Sequence, residues 1–190
     1  GPGNNGGDGF EAAMHLKRWG THPVVTWLGN EAAMPDDARA SLARARAEAV
    51  TFSDAPPVGL GPDDLCIDAL LGLGAARAPQ GRMAEWLRAM RTGSAPVLAV
   101  DLPSGLNAET GQHAIDSIAA DDHLAMEAWR VHAQNTLCLL TCKPGLFTAH
   151  GRDAAGTVWF DTLGVDSSTE PATAWTNGTD KNPENPSFAR

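Results

Sequence analysis

Two aspartates and one glycine-crowded segment are where this sequence offers chemistry. Asp68 directly follows the apolar run Leu65-Cys66-Ile67, and Asp101 directly follows the apolar run at 96–100 (PVLAV). In an open α/β sheet, ligands gather at the carboxyl ends of the strands. An aspartate there can meet a ligand, hold a cation or exchange a proton. The plainer reading of each is loop shaping, with the carboxylate accepting from nearby backbone N–H groups. Asp101 opens the turn Asp101-Leu102-Pro103-Ser104-Gly105, in which Ser104 adds a hydroxyl oxygen. This turn is not a nucleophile elbow, because Leu102 stands where the pattern requires glycine. The segment 1–9 carries Gly1, Gly3, Gly6, Gly7 and Gly9, interleaved with Asn4, Asn5 and Asp8. Glycines let the backbone come close to a ligand, and the helix start that follows offers free N–H groups and a positive dipole end. Gly1-x-Gly3-x-x-Gly6 also matches the dinucleotide fingerprint, a motif of little weight alone. A second glycine loop, Gly72-Leu73-Gly74-Ala75-Ala76-Arg77-Ala78, follows Asp68. The six histidines share no metal-binding spacing, and Lys143-Pro144-Gly145 reads as a solvated turn after a strand.

The elements that must position these residues follow from periodicity. Asp8 and Glu11 have capping-box spacing, so a helix is expected with Asp8 as its N-cap. Its apolar face would be Ala12, Ala13, Leu16 and Trp19, and it would stop at Gly20. A strand is expected over 24–28, then a helix from Pro35-Asp36-Asp37 with the stripe Ala38, Leu42, Ala45 and Ala49. A brief strand over 50–52 and a Pro/Gly loop over 53–62 lead to the run before Asp68. A helix over 83–92 carries Met83, Trp86, Leu87 and Met90. Beyond the 96–100 strand come a helix over 115–129 and strands over 136–141 and 157–160. Trp19, Trp27, Trp86, Trp129 and Trp159 are expected in the core. Continuous apolar strands alternating with helices predict a mainly parallel sheet covered on both faces, an α/β fold.

Composition narrows the function. The chain has 190 residues, 43% of them hydrophobic, which suffices for one packed domain. Acids outnumber bases 23 to 14, for a formal charge of -9, which disfavours general binding to nucleic acid. A small phosphorylated ligand held by backbone N–H groups is still compatible. No apolar run approaches the roughly 18 residues of a membrane span, and no basic-then-apolar leader stands at the start. Cys66, Cys138 and Cys142 form no CxxC pair, so they read as buried core thiols in a reducing, cytoplasmic setting. The glycine turn opens the sequence without the buried strand that normally precedes it, so an N-terminal segment is expected to be missing. Residues 166–190 are polar and aperiodic, and read as a linker or disordered tail.

Taken together, GPGNNGGDGF (1–10), DALLGLG (68–74), VLAVDLPSGL (97–106), KPGLFTAHGRD (143–153) and GTVWFDTLGV (156–165) resemble the YjeF N-terminal domain family, the NAD(P)H-hydrate epimerases. The resemblance covers 1–165 and implies a three-layer α/β/α Rossmann-like domain, usually a homodimer. It implies interconversion of the R and S epimers of NADHX and NADPHX, cofactors hydrated at C6 of the nicotinamide ring, with the S form passing to a dehydratase that can be fused C-terminally. It places substrate binding on Asn4, Asn5, Gly6, Gly7 and Asp8, on Gly72, Leu73, Gly74, Ala75, Ala76, Arg77 and Ala78, and on Asp101. A potassium ion is implied at Asn5, Asp68 and Ser104. Asp101 is the expected acid/base, with Asp68 adding negative field. About 50 residues of N-terminal helix are absent by comparison with the family, and the segment between Gly111 and Thr136 is longer than usual. Two other readings are weighed: an NAD(P)-dependent oxidoreductase, for which Glu31 is a loose match to the ribose-binding acid, and a non-catalytic nucleotide-binding module of the same fold.

Overall fold

The computed structural model describes residues 1–74, 78–113, 131–165 and the backbone of 187–188. The helices expected after Asp8, from Pro35-Asp36-Asp37 and over 83–92 are present as α1 (Asn4–Arg18), α2 (Asp36–Ala47) and α3 (Gly81–Thr92). The strands are β1 (Val24–Val25), β2 (Thr51–Phe52), β3 (Cys66–Asp68), β4 (Val97–Val100), β5 (Asn135–Leu139), β6 (Thr157–Asp161) and β7 (Ser187–Phe188). β1 and β2 pair in parallel as a small sheet of their own. The second sheet has the order β3-β4-β5-β6-β7, parallel from β3 to β6, with β7 antiparallel on β6. The fold is thus parallel sheets flanked by helices, consistent with a three-layer α/β/α Rossmann-like domain. The helix expected over 115–129, with Trp129, lies outside the described residues, as does the tail apart from β7.

α1 differs from the expectation in a way that matters for the site. It begins at Asn4 with Gly3 as N-cap, so Asp8 is not a cap but sits a full turn inside the helix. The first six residues of α1, expected to form a turn, are therefore all helical, and three of them are the glycines Gly6, Gly7 and Gly9. Helical glycines cost about 1 kcal/mol each relative to alanine, so something must require them. At Gly7 it is packing: a Cβ would stand 2.9 Å from Ala38 Cα on α2. The buried face is Phe10, Ala13 and Met14, set by the earlier start, and Trp19 is 75% exposed. Gly20, at φ 88°, ends the helix in the expected left-handed conformation.

α1 and α2 enclose one core of Phe10, Met14, Leu42 and Val50, with Trp27 edge-on to Phe10 at 5.9 Å. Ala38, Leu42 and Ala45 form the expected stripe of α2. Ala49 falls beyond the helix, exposed at φ 54°. α3 presses Trp86 and Leu87 onto Val97 and Ala99 of β4. A third cluster joins Leu102, Leu106, Cys138 and Val158. β6 alternates in burial instead of being covered on both faces, leaving Trp159 at 41% exposure.

Candidate functional site

β3 and β4 are adjacent and parallel, with Asp68 opposite Ala99. Their carboxyl ends therefore lie side by side, and the turn after β4 folds back over the end of β3. Asp68, the last residue of β3, is completely buried, and so is Ser104. The Ser104 hydroxyl donates to Asp68 Oδ1 at 2.6 Å and the Ser104 N–H to Oδ2 at 2.8 Å. The Leu70 N–H donates to Oδ1 at 3.2 Å. Ser104 Oγ in turn accepts the Leu71 N–H at 2.8 Å. Burial pushes the Asp68 carboxyl above its usual range, and the bonds from Ser104 and Leu70 oppose that shift. No Lys or Arg among the described residues pairs with it.

The first turn of α1 reaches the same place. Asn5 is 8% exposed, and its Nδ2 donates to the Leu71 carbonyl at 2.9 Å. That bond fixes the amide orientation, and Asn5 Oδ1 is left buried without a donor. Gly72 lies against it: a Cβ there would sit 3.2 Å from Asn5 Cβ. A buried acceptor without a partner costs free energy comparable to a lost hydrogen bond. Here it shares its surroundings with a buried carboxylate that has no cationic side chain and with a hydroxyl oxygen. This is an all-oxygen donor set of the kind hard cations select. Among the described residues there is no group of three or more His, Cys, Asp and Glu side chains for a transition metal.

Asp101 stands immediately beyond β4 with φ 70°, a left-handed conformation that costs a non-glycine residue about 1–3 kcal/mol. The surrounding contacts hold it there. Its N–H donates to the Leu137 carbonyl at 2.7 Å, and its Oδ1 accepts the Leu139 N–H at 3.3 Å. The Lys143 ammonium also donates to Oδ1 and, at the same time, to the Leu139 carbonyl. Lys143 is only 5% exposed. The expectation of a solvated turn at Lys143 is therefore incorrect: the turn after β5 carries the ammonium inward onto Asp101. Spacing could not show this, since the two residues are 42 positions apart. The one local hint was a lysine placed at a strand end.

Asp8, on the exposed side of α1, has its carboxyl raised by partial enclosure, then by the charges of Asp101 and Glu11. The start of α1 has no acidic residue in its first turn, so its free N–H groups and positive dipole end meet no competing carboxylate of their own. Asn4 is exposed there, Gly6 and Gly7 are buried beneath, Leu73 and Gly74 are exposed, and Ala78 packs half-buried against the α3 cluster. Ala75, Ala76 and Arg77 lie outside the described residues. The structure thus gathers Asn5, Asp68, Gly72 and Ser104 into one buried knot, with Asp101 and Lys143 at the next strand ends. Glu31 is elsewhere in role, bonded to Arg46 at 3.0 Å on the surface.

Known proteins are similar to this chain over most of its length. The family model described as YjeF-related protein N-terminus matches residues 1–145, a span that includes every contact above between α1, β3, β4 and Lys143. The bifunctional NAD(P)H-hydrate repair enzyme Nnr of Escherichia coli (strain K12) is 37% identical over 172 residues, covering 88% of this chain and 30% of that protein. The bifunctional NAD(P)H-hydrate repair enzyme of Leishmania major is 36% identical, covering 87% of this chain and 28% of that protein. The NAD(P)H-hydrate epimerase of Rhodobacter capsulatus is 38% identical over 141 residues, covering 70% of this chain and 64% of that protein. The chain spans less than a third of the length of the two bifunctional relatives. With its glycine segment, both strand-end aspartates and the lysine turn inside the matched region, the chain belongs to the YjeF-related protein N-terminus family.

Proposed function

We propose that this chain is an epimerase that interconverts the R and S forms of NADHX and NADPHX, and that its reaction takes place at the carboxyl ends of β3 and β4. The observation that carries this reading is the junction of Asn5, Asp68 and Ser104 beside a fixed Asp101. The names of its relatives, NAD(P)H-hydrate epimerase and bifunctional repair enzyme, supply the substrate.

The chemistry suits a carboxyl group. The C6 hydrate is a hemiaminal, so the ring nitrogen lone pair can expel the hydroxyl once it is protonated. Asp101 in its acid form gives its proton to that hydroxyl, the C–O bond breaks, and water departs from a planar cation. Water then adds to the opposite face of C6 and its proton returns to the Asp101 carboxylate through intervening water, restoring the acid. Atoms and charge balance, and the configuration at C6 is inverted. Proton transfer of this kind contributes on the order of 10²–10⁴-fold, and a carboxylate beside the cation adds electrostatic stabilisation. Asn4, Gly6, Gly7, Asp8 and the 72–78 loop are assigned to substrate, with the start of α1 suited to a phosphate group.

Potassium is assigned to Asn5 Oδ1, the Asp68 carboxylate and Ser104 Oγ. When bound it would offset the buried charge of Asp68 and tie α1 to the ends of β3 and β4. The oxidoreductase alternative loses its ribose acid, because Glu31 is engaged by Arg46. The resemblance also suggests a homodimer, for which Leu140, Trp159, Leu163 and Val165 offer exposed apolar surface. A dehydratase is the proposed consumer of the S epimer, and the cytoplasm the proposed setting. No helix among the described residues is long and apolar enough to cross a membrane. Conversion of R-NADHX to S-NADHX by the purified protein, followed by chromatography, tests the activity; equilibration no faster than in buffer would overturn it.

A further inference from the structure

We infer that Lys143 is a positioning residue of the epimerisation: its buried ammonium occupies one oxygen of Asp101 and leaves the other as the single oxygen presented for proton transfer. The inference rests on the activity proposed above.

The contacts divide the carboxylate. Oδ1 accepts from the Leu139 N–H and from Lys143 Nζ, and Oδ2 accepts from no described residue. Leu139 serves both partners, its N–H on the carboxylate and its carbonyl on the ammonium, so the pair is locked to the end of β5 at two points. The Asp101 backbone is held as well, through its N–H to Leu137 and its left-handed φ of 70°. With backbone and Oδ1 both fixed, the direction of Oδ2 is fixed too.

Stability alone does not account for this pair. The side chains of Lys143 and Asp101 are 6% and 13% exposed. Lysine is almost never so buried unless paired, and replacing a buried ion pair with apolar side chains of similar volume is often neutral or stabilising. What the ammonium adds is orientation: with Oδ1 held by Lys143 and Leu139, Oδ2 is kept at one place against the reacting group. Misplacing a reacting group by about 1 Å can cost roughly 10²-fold in rate.

Lys143→Met in the intact protein keeps most of the volume and removes the donor. The expected result is a fall in kcat of about 100-fold with KM changed less than threefold, because substrate is held by other residues. Lys143→Ala should show the same loss, recovered at least tenfold by added n-propylamine, a readout that a purely structural lysine would not give. A kcat within threefold of wild type in Lys143→Met, a loss carried by KM alone, or failure of both variants to fold would each overturn the inference. Wild-type protein that does not epimerise NADHX would instead overturn the activity on which it rests.

Discussion

Ser104 grips the Asp68 carboxylate twice, with its hydroxyl on Oδ1 at 2.6 Å and its N–H on Oδ2 at 2.8 Å. Both residues are completely buried, so the turn after β4 cannot move without breaking bonds at the end of β3. Asp101 lies in that same turn, three residues earlier. The two aspartates are therefore mechanically one unit.

Removing the hydroxyl breaks that unit. Ser104→Ala loses the bond to Asp68 and strands the Leu71 N–H, which now donates to Ser104 Oγ at 2.8 Å. A buried donor left without a partner costs about 1–3 kcal/mol. The urea midpoint should fall accordingly with an unchanged slope, and an unchanged midpoint would contradict the assignment.

Asn5 Oδ1 gives the potassium proposal its own test. A ligand at ten times its dissociation constant stabilises the folded state by about 1.4 kcal/mol. Unfolding in potassium chloride and in choline chloride at equal ionic strength should differ by that order for the wild type. In Asn5→Leu, which removes the unpartnered oxygen, the difference should disappear; an equal difference in both proteins would exclude Asn5 as a ligand.

Gly7 separates packing from ligand contact in the glycine segment. A Cβ at this position would meet Ala38 Cα at 2.9 Å and Ala38 Cβ at 3.0 Å. Overpacking of this kind costs about 1–3 kcal/mol, which outweighs the gain from removing a helical glycine. Gly7→Val should lower the urea midpoint, and a rise would show that α1 and α2 can part freely.

The two strand-end aspartates, the glycine segment and the alternation of strands and helices were legible because each follows from a short local pattern. The start of α2 and the end of α3 were legible for the same reason. Three features were not. The start of α1 was placed five residues late, because Asp8 and Glu11 mimic a capping box while the true N-cap, Gly3, has no side chain to signal itself. Trp19 and Trp159 were expected in the core from their types alone, but the first lies past the buried face of α1 and the second on the open face of β6. Lys143 was read as solvated because its partner is distant in sequence and meets it only when β4 and β5 pair.

Asp8 predicts a pH dependence. Its folded carboxyl titrates above its unfolded value, through partial enclosure first and the charge of Asp101 second. The folded state therefore binds the proton more tightly, and stability falls as pH rises from the unfolded pKa through the folded one. Asp8→Asn should thus stabilise the protein at pH 7 and have no such effect at pH 3. Because Asp8 is exposed, screening keeps the gain to a fraction of a kcal/mol. Calorimetry at the two pH values checks the sign, and destabilisation confined to pH 7 would reverse it.

Asp101→Asn tests the central proposal most directly. Asparagine keeps the shape and an oxygen for Lys143 and Leu139, yet can neither give nor take the proton. R-to-S conversion of NADHX should slow by about 10²–10⁴-fold while circular dichroism and the unfolding midpoint show a folded protein. Turnover within a few-fold of wild type would contradict the account, because the proton would then have to travel through another group.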